Sequence, residues 1–96
     1  MSLFVVQHIH NAEVCPAGHP QMGPMLLQHI SEGNAAKSGI KIRGDALLNG
    51  QHTFYLILEA PGTDKVQEFL SPFAHMGSVE IWPANACETV VNRGHC

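Results

Sequence analysis

The sequence predicts a small α+β domain built on one antiparallel sheet, and three observations support this. Two runs rich in strand-forming residues flank the dipeptide Asn49-Gly50, which is the strongest short-range signal for a β-hairpin. Stretches with apolar residues three and four positions apart lie before and after this hairpin, as amphipathic helices require. An apolar strand pattern opens the chain, and a second one follows the later helical stretch. The predicted order is therefore strand, helix, strand, strand, helix, strand.

Composition narrows the class of protein. The 96 residues correspond to one domain of ordinary size, so we expect a single domain over 1–96, with the tail 84–96 the least defined part. A net charge of −3 provides no basic surface for nucleic acid or anionic lipid. No apolar run approaches the roughly 20 residues of a membrane span, and no basic segment precedes the first strand. We therefore expect a cytoplasmic protein without nucleic-acid or membrane partners.

Three further compositional features concern association and chemistry. Charged residues make up 14% of the chain, against about a quarter in typical soluble domains, so apolar surface is left for a second copy to cover. The three cysteines, Cys15, Cys87 and Cys96, form no Cys-x-x-Cys pair and fit free thiols in a reducing compartment. Seven histidines are the strongest anomaly in the composition.

The first strand, predicted over residues 3–10, ends in a His-x-His pair. Because side chains at i and i+2 of a strand project from the same face, His8 and His10 share one side with Phe4 and Val6. The loop that follows, residues 11–24, is rich in proline, glycine and polar residues and is longer than the usual strand-to-helix connection. Loops of this length are often functional, and this one carries Cys15.

The first helix is predicted over residues 22–37. Pro24 suits a helix start, and the apolar face is formed by residues spaced three and four apart. These are Met22, Met25, Leu26, His29 and Ile30. Gly33-Asn34 weakens the helical pattern near Glu32, and Ala35-Ala36-Lys37 either continues the helix or forms a second short turn before Gly39.

The hairpin is predicted from residue 40 to residue 59. Its first strand covers residues 40–48, with a bulge at Gly44-Asp45, and its second covers residues 51–59. Asn49-Gly50 predicts a type I′ turn, which needs positive φ at both central residues.

The second helical segment follows Pro61-Gly62, with Thr63 as the predicted N-cap. The apolar residues of this segment extend from Val66 to Phe73 at the spacing of one helical face. Pro72 is expected to divide the segment into a main helix and one extra turn. The last strand is predicted over 78–82, where Pro83 stops it. Residues 88–91 fit either an edge strand or one turn of helix.

This element order is the ferredoxin-like βαββαβ pattern, a four-stranded antiparallel sheet of order 4-1-3-2 with two helices on one face. In that arrangement strand one lies between strands three and four and runs opposite to both. Its C-terminal end, with His8 and His10, therefore meets the beginnings of the other two strands. Those beginnings carry His52 and His75, and the loop with Cys15 leaves from the same edge.

Imidazole and thiolate groups are the usual protein ligands of zinc, copper and nickel. We therefore predict a transition-metal site formed by His8, His10 and Cys15, with His75 or His52 as the fourth ligand. The structural alternatives are hydrogen-bonded histidines at a strand end and a cysteine that packs as a small apolar residue.

A resemblance to a known family adds to this interpretation. The hairpin end Leu58-Glu59-Ala60-Pro61, the run Phe69-Leu70-Ser71-Pro72-Phe73 and the segment Gly77-Ser78-Val79-Glu80-Ile81-Trp82-Pro83 resemble the second half of small proteins of the dimeric α+β barrel superfamily. The similarity covers roughly residues 40–83. It is greatest to small ferredoxin-like domains of unknown function and to small nickel-binding ferredoxin-like proteins. The resemblance implies a homodimer whose sheets face each other, with a metal or ligand at the strand-one edge or in the barrel, and it implies no reaction.

Three functions are open from the sequence. The first is a small metal-binding protein that acts as a sensor, chaperone or scavenger of a transition metal. The second is a dimeric-barrel enzyme, oxygenase-like or isomerase-like, that acts on a small apolar molecule with a histidine base or with Cys15 as nucleophile. The third is a dimerisation domain whose histidines form a pH-sensitive rim.

Overall fold

The protein is organised around a four-stranded antiparallel sheet in which the first strand is an interior strand. A computed structural model describes all of residues 1–96. The strands are β1 (Ser2–His10), β2 (Lys41–Leu47), β3 (Thr53–Ala60) and β4 (Gly77–Ala84), in the order β2-β3-β1-β4. This is the predicted 4-1-3-2 order, so the α+β class with ferredoxin-like connectivity is confirmed.

Five α-helices connect or follow the strands. They are α1 (Met22–His29), α2 (Glu32–Lys37), α3 (Thr63–Phe69), α4 (Ser71–Ala74) and α5 (Cys87–Arg93). Two 3₁₀ turns, Ala12–Val14 and Pro16–Gly18, lie in the long loop after β1. No helix combines the length and the apolar character that a membrane crossing needs.

The helices cover one face of the sheet, and the core lies between them. Residues Phe4, Val6, His8 and His10 alternate as buried positions along β1, so their predicted common face is confirmed. Twelve buried apolar residues form the core: Phe4, Val6, Ala35, Ile40, Phe54, Leu56, Leu58, Ala60, Val66, Phe69, Leu70 and Phe73.

The other face of the sheet has apolar residues that remain exposed. Val5 of β1 pairs with Ile57 of β3 on one side and with Trp82 of β4 on the other, so the three lie on one face. Ile57 and Trp82 are 44% and 45% exposed, respectively. The sheet therefore has one covered face and one open face.

The single helix predicted over 22–37 is wrong, because the chain forms two helices. Ser31 has an extended conformation (φ −62°, ψ 150°), and its hydroxyl accepts a hydrogen bond from the backbone N–H of Asn34 at 3.4 Å. Ser31 is thus the N-cap of α2, a role that serine favours strongly. The break between α1 and α2 therefore lies at Ser31, two residues before the predicted weak point at Gly33.

The hairpin and its bulge are confirmed, with a register shift between Ile42 and Gly44, but the predicted type I′ turn is wrong. Positive φ occurs at Gly50 and at His52, and not at Asn49. The connection is longer than two residues, because ladder pairing ends at Leu47 opposite Phe54.

Four details of the second half also follow from local structure. Gly62, and not Thr63, precedes α3, and it makes no side-chain cap. The division of the helical segment near Pro72 is confirmed, since α3 ends at Phe69 and α4 begins at Ser71. β4 continues through Pro83 because it is an edge strand, where a missing N–H breaks no necessary ladder bond. The helical alternative for the tail is confirmed by α5.

Candidate metal centre and adjoining cavity

His10, the last residue of β1, is a buried polar residue without a partner. Its side chain is 5% exposed, and neither ring nitrogen has a hydrogen-bond partner. Its backbone N–H, in contrast, donates to the carbonyl of His52 at 3.1 Å. Buried polar groups in proteins are almost always hydrogen-bonded. The two unpaired ring nitrogens of His10 therefore indicate a hydrogen-bond partner or ligand from outside the chain.

Residues from two other segments, Cys15 and His52, lie close to His10. Cys15 lies between the two 3₁₀ turns, and His52 lies in the loop between β2 and β3. One ligand atom from each of His10, Cys15 and His52 lies within 4.8 Å of the other two. In a tetrahedral site, metal bonds of about 2.0–2.3 Å place the ligand atoms about 3.3–3.8 Å from one another, about 1 Å closer than here. This group could therefore hold a metal ion after small side-chain movements.

His52 has an unusual backbone conformation for its residue type. Its φ is +50°, in the left-handed region, which costs a residue with a Cβ about 1–2 kcal/mol. In this conformation the carbonyl of His52 accepts a hydrogen bond from the backbone N–H of His10. Strained residues of this kind cluster at functional sites.

The loop that carries Cys15 is held by several local contacts. The backbone N–H of Cys15 donates to the carbonyl of Ala12, and Pro16 is buried directly after it. At the far end of the loop, the Nδ1 of His19 accepts hydrogen bonds from the backbone N–H groups of Gln21 and Met22, at the start of α1. His19 is therefore a helix-capping residue here, and the long loop is a folded segment.

His8 lies beside His10, but its ring has a structural partner. The Nδ1–H of His8 donates to the carbonyl of Ser78 at 3.1 Å, because a carbonyl oxygen only accepts. In the neutral ring, Nε2 is then a hydrogen-bond acceptor. The His8 ring stacks on His10 and makes an edge contact with Phe73, both with centroids 5.3 Å apart.

The surroundings lower the pKa of both histidines of the His-x-His pair and so favour the neutral form. Burial lowers the pKa of His8, the charge of His10 lowers it further, and the bond to Ser78 opposes these effects. Burial also lowers the pKa of His10, with His52 as the second cause. Metal ligation requires a neutral imidazole, so the surroundings favour the form that a metal would bind.

The five predicted ligands fall into three classes. His10, Cys15 and His52 form the group described above. His8 is adjacent to this group but has no ligand atom in it. His75 is exposed and lies at the end of α4, outside the group, because it follows the helical backbone and not the β4 ladder.

Gly77 lets β4 approach β1 at this point. A Cβ at position 77 would clash with the carbonyl oxygen of Ile9, directly before His10. Gly77 is also the register partner of His10. A glycine is therefore required where the edge strand closes against the site.

An apolar cavity of about 220 Å³ adjoins the His8 and His10 rings. It lies on the covered face of the sheet. Its lining residues are His8, His10, Pro16, Met22, Met25, Leu26, His29, Leu47, Phe54, Pro72, Phe73 and Met76.

His29 is a cavity residue that sequence reasoning assigned only to the packed face of a helix. Its Nε2–H donates to the carbonyl of Phe69 at 2.7 Å, and its ring stacks on Phe69 with centroids 4.5 Å apart. The available signal was a histidine in an otherwise apolar helical stripe. Such a residue faces the same interior as the strand histidines when the helix packs on their face of the sheet.

No protein-family model matches the chain, and no curated protein sequence matches it. The resemblance to the dimeric α+β barrel superfamily thus stays a prediction. The observations themselves establish a small α+β fold with a four-stranded antiparallel sheet and a His-His-Cys group that could hold a metal ion.

Proposed function

We propose that this chain is a small transition-metal-binding protein that senses, carries or scavenges its metal through His10, Cys15 and His52. One observation carries the proposal. Ligand atoms from three separate segments lie within 4.8 Å of one another around an imidazole whose ring nitrogens are buried without partners. A bound ion would provide the missing partner of His10.

The donor set suits zinc, copper or nickel. Two neutral imidazoles and one thiolate are intermediate and soft ligands, which these metals prefer to the hard oxygen ligands of calcium or magnesium. Three protein ligands leave at least one position of a four-coordinate ion open. An open position lets a partner molecule or a small ligand take part in binding, as transfer or sensing of a metal requires.

The direct test is a metal titration with matched variants. Cys87 and Cys96 are exposed thiols outside the group, so both are first replaced by serine to remove adventitious sites. In this background we expect one Zn²⁺, Ni²⁺ or Cu⁺ per chain, measured by competition with a chromophoric chelator. Loss of a hydrogen-bond partner of a metal ligand costs about 10- to 100-fold in affinity, so Cys15→Ser should cost more than about 100-fold.

Two further variants sharpen the titration. His52→Asn removes an imidazole but keeps a residue that tolerates positive φ, and it should weaken binding strongly. His95→Asn replaces an exposed histidine outside the group and should have no effect. Equal metal affinity in the background protein, Cys15→Ser and His52→Asn would refute the proposal.

We also propose that the chain forms a homodimer through the open face of the sheet. The exposed apolar residues of that face, including Ile57 and Trp82, support this, because patches of this kind mark association sites. Ile57→Lys should shift a dimer to a monomer in sedimentation velocity runs. Leu27→Lys, at an exposed apolar residue of α1, is the matched control and should not. A monomeric parent protein would contradict the proposal.

A cytoplasmic location is proposed on the state of the cysteines. Cys15, Cys87 and Cys96 are all free thiols in the structure, which suits a reducing compartment. Thiol counting on protein isolated under alkylating conditions should find three reduced cysteines per chain. A disulfide in the isolated protein would argue against this location.

The enzyme alternative is favoured by one specific observation, the apolar cavity beside His8. A histidine general base needs a lowered or near-neutral pKa and access to substrate, and His8 lines the cavity with a lowered pKa. Turnover of an apolar substrate that is abolished by His8→Phe would support this alternative.

A further inference from the structure

We propose that the cavity next to His8 and His10 binds a neutral molecule about the size of one aromatic ring that carries a hydroxyl group, as phenols do. The cavity shares His10 with the group that could hold a metal, but neither Cys15 nor His52 lines it. The proposal rests on the cavity and its two strand histidines and does not require a bound metal.

The size of the cavity sets the size of the ligand. An engineered protein cavity of about 150 Å³ is large enough to bind benzene. The present cavity, at about 220 Å³, has room for one ring and a small substituent. It is below the range of about 300–1,000 Å³ that is typical of sites for larger ligands.

The walls favour an aromatic ring. Phe54 and Phe73 line the cavity from the sheet and from α4, and Leu26 lines it from α1. Three methionines, Met22, Met25 and Met76, also line the cavity. Their flexible thioethers adapt to a ligand and make favourable contacts with aromatic rings.

The polar groups of the cavity specify a hydroxyl. With Nδ1–H bonded to Ser78, neutral His8 retains Nε2 as an acceptor. Neutral His10 has one donor and one acceptor nitrogen, and neither has a partner in the protein. A hydroxyl group both donates and accepts, so it can satisfy an acceptor on one ring and a donor on the other.

The same lining favours a neutral ligand over an ion. The lining residues include no lysine, arginine, aspartate or glutamate that would pair with a charge. Moving an unpaired charge into such surroundings is strongly unfavourable. Occupation of the metal group would leave the hydroxyl site intact, since an imidazole that gives one nitrogen to a metal keeps an N–H on the other.

The test compares phenol with toluene, which has nearly the same shape and no hydrogen-bonding group. Both are titrated into the metal-free 96-residue chain and followed by amide chemical shifts in NMR spectra. We expect shifts at the lining residues and an affinity for phenol about tenfold higher than for toluene, as one net buried hydrogen bond provides. Equal affinities, or shifts elsewhere than at the lining residues, would overturn the proposal.

Variants separate the polar and apolar parts of the site. His10→Phe should reduce phenol affinity about tenfold and leave toluene affinity nearly unchanged. Leu26→Trp fills the cavity and should abolish binding of both. Leu27→Trp, at a 68% exposed position of α1 outside the lining, should bind both normally. Binding that survives Leu26→Trp in a folded protein would also refute the site, and the comparison of ligands on the parent chain needs no variant to fold.

Discussion

The two faces of the sheet differ in whether named polar side chains have hydrogen-bond partners. On the open face, polar side chains are paired within the protein: the hydroxyl of Tyr55 donates to Oε1 of Gln7 at 3.0 Å, and Arg43 bonds Glu59 at 2.8 Å. On the covered face, the apolar stripe of β1 ends in His10, whose ring is buried without a partner. The open face leaves Ile57 and Trp82 exposed, whereas the covered face leaves both ring nitrogens of His10 without a partner. This contrast is the basis for proposing association through the open face and ligand binding on the covered face.

The largest expected effect is stabilisation by metal, which should depend on the covered face alone. Free metal at 100 times its dissociation constant should raise the free energy of unfolding by about 2.7 kcal/mol, because only the folded chain gathers the three ligands. Urea unfolding with and without metal measures this. The Cys15→Ser variant should lose this metal-dependent stabilisation, and the Cys87→Ser variant should retain it. Equal stabilisation of both variants by metal would contradict the prediction.

Two neighbouring valines of β1 give the next largest difference. Val6 is fully buried on the covered face, and Val5 is half-buried on the open face. Val6→Ala should lower the free energy of unfolding by about 2 kcal/mol, through lost burial and a residual cavity. Val5→Ala should cost less than about 1 kcal/mol in the isolated chain. If a dimer covers the open face, the cost of Val5→Ala should rise with protein concentration, which denaturant titrations at two concentrations would detect.

A third prediction concerns the unpartnered ring itself. In metal-free protein, His10→Phe should raise the free energy of unfolding by about 1 kcal/mol, because it removes two buried nitrogens without partners and keeps a ring of similar size. The same variant should bind metal far more weakly. Gln7→Leu on the open face is the matched change, and it should destabilise by breaking the bond to Tyr55. A destabilised His10→Phe protein would mean that the ring is satisfied in solution.

The smallest expected effect is a pH dependence of stability. The pKa values of His8 and His10 are lowered in the folded chain, mainly by burial, whereas the unfolded chain titrates near 6.5. Below pH 6.5 the unfolded state therefore binds more protons, and the free energy of unfolding of the metal-free protein should fall as the pH drops towards the folded pKa values. Above about pH 7.5, where the unfolded histidines are also deprotonated, these two residues should contribute almost no slope. Replacing both histidines by phenylalanine should flatten the curve between pH 6.5 and 5, and an unchanged slope would assign it to other groups.

The sequence by itself determined the sheet and the face on which the site lies. Strand periodicity placed His8 and His10 on one side with Phe4 and Val6, and the order of elements predicted that β1 lies between β3 and β4. These features depend on local periodicity and on few possible sheet topologies, so they can be read from one chain.

Only the tertiary structure decided which side chains meet. Cys15 comes near His10 because two 3₁₀ turns fold the loop, whereas the position of His52 beside His10 follows from the predicted sheet order and the pairing of Ile9 with Thr53. His8 instead donates a hydrogen bond to the Ser78 carbonyl, and His75 lies at the end of α4. The physical reason is that loop paths and side-chain partners depend on packing between distant segments. Sequence periodicity indicates the strand and its two faces, but it gives no information about those contacts.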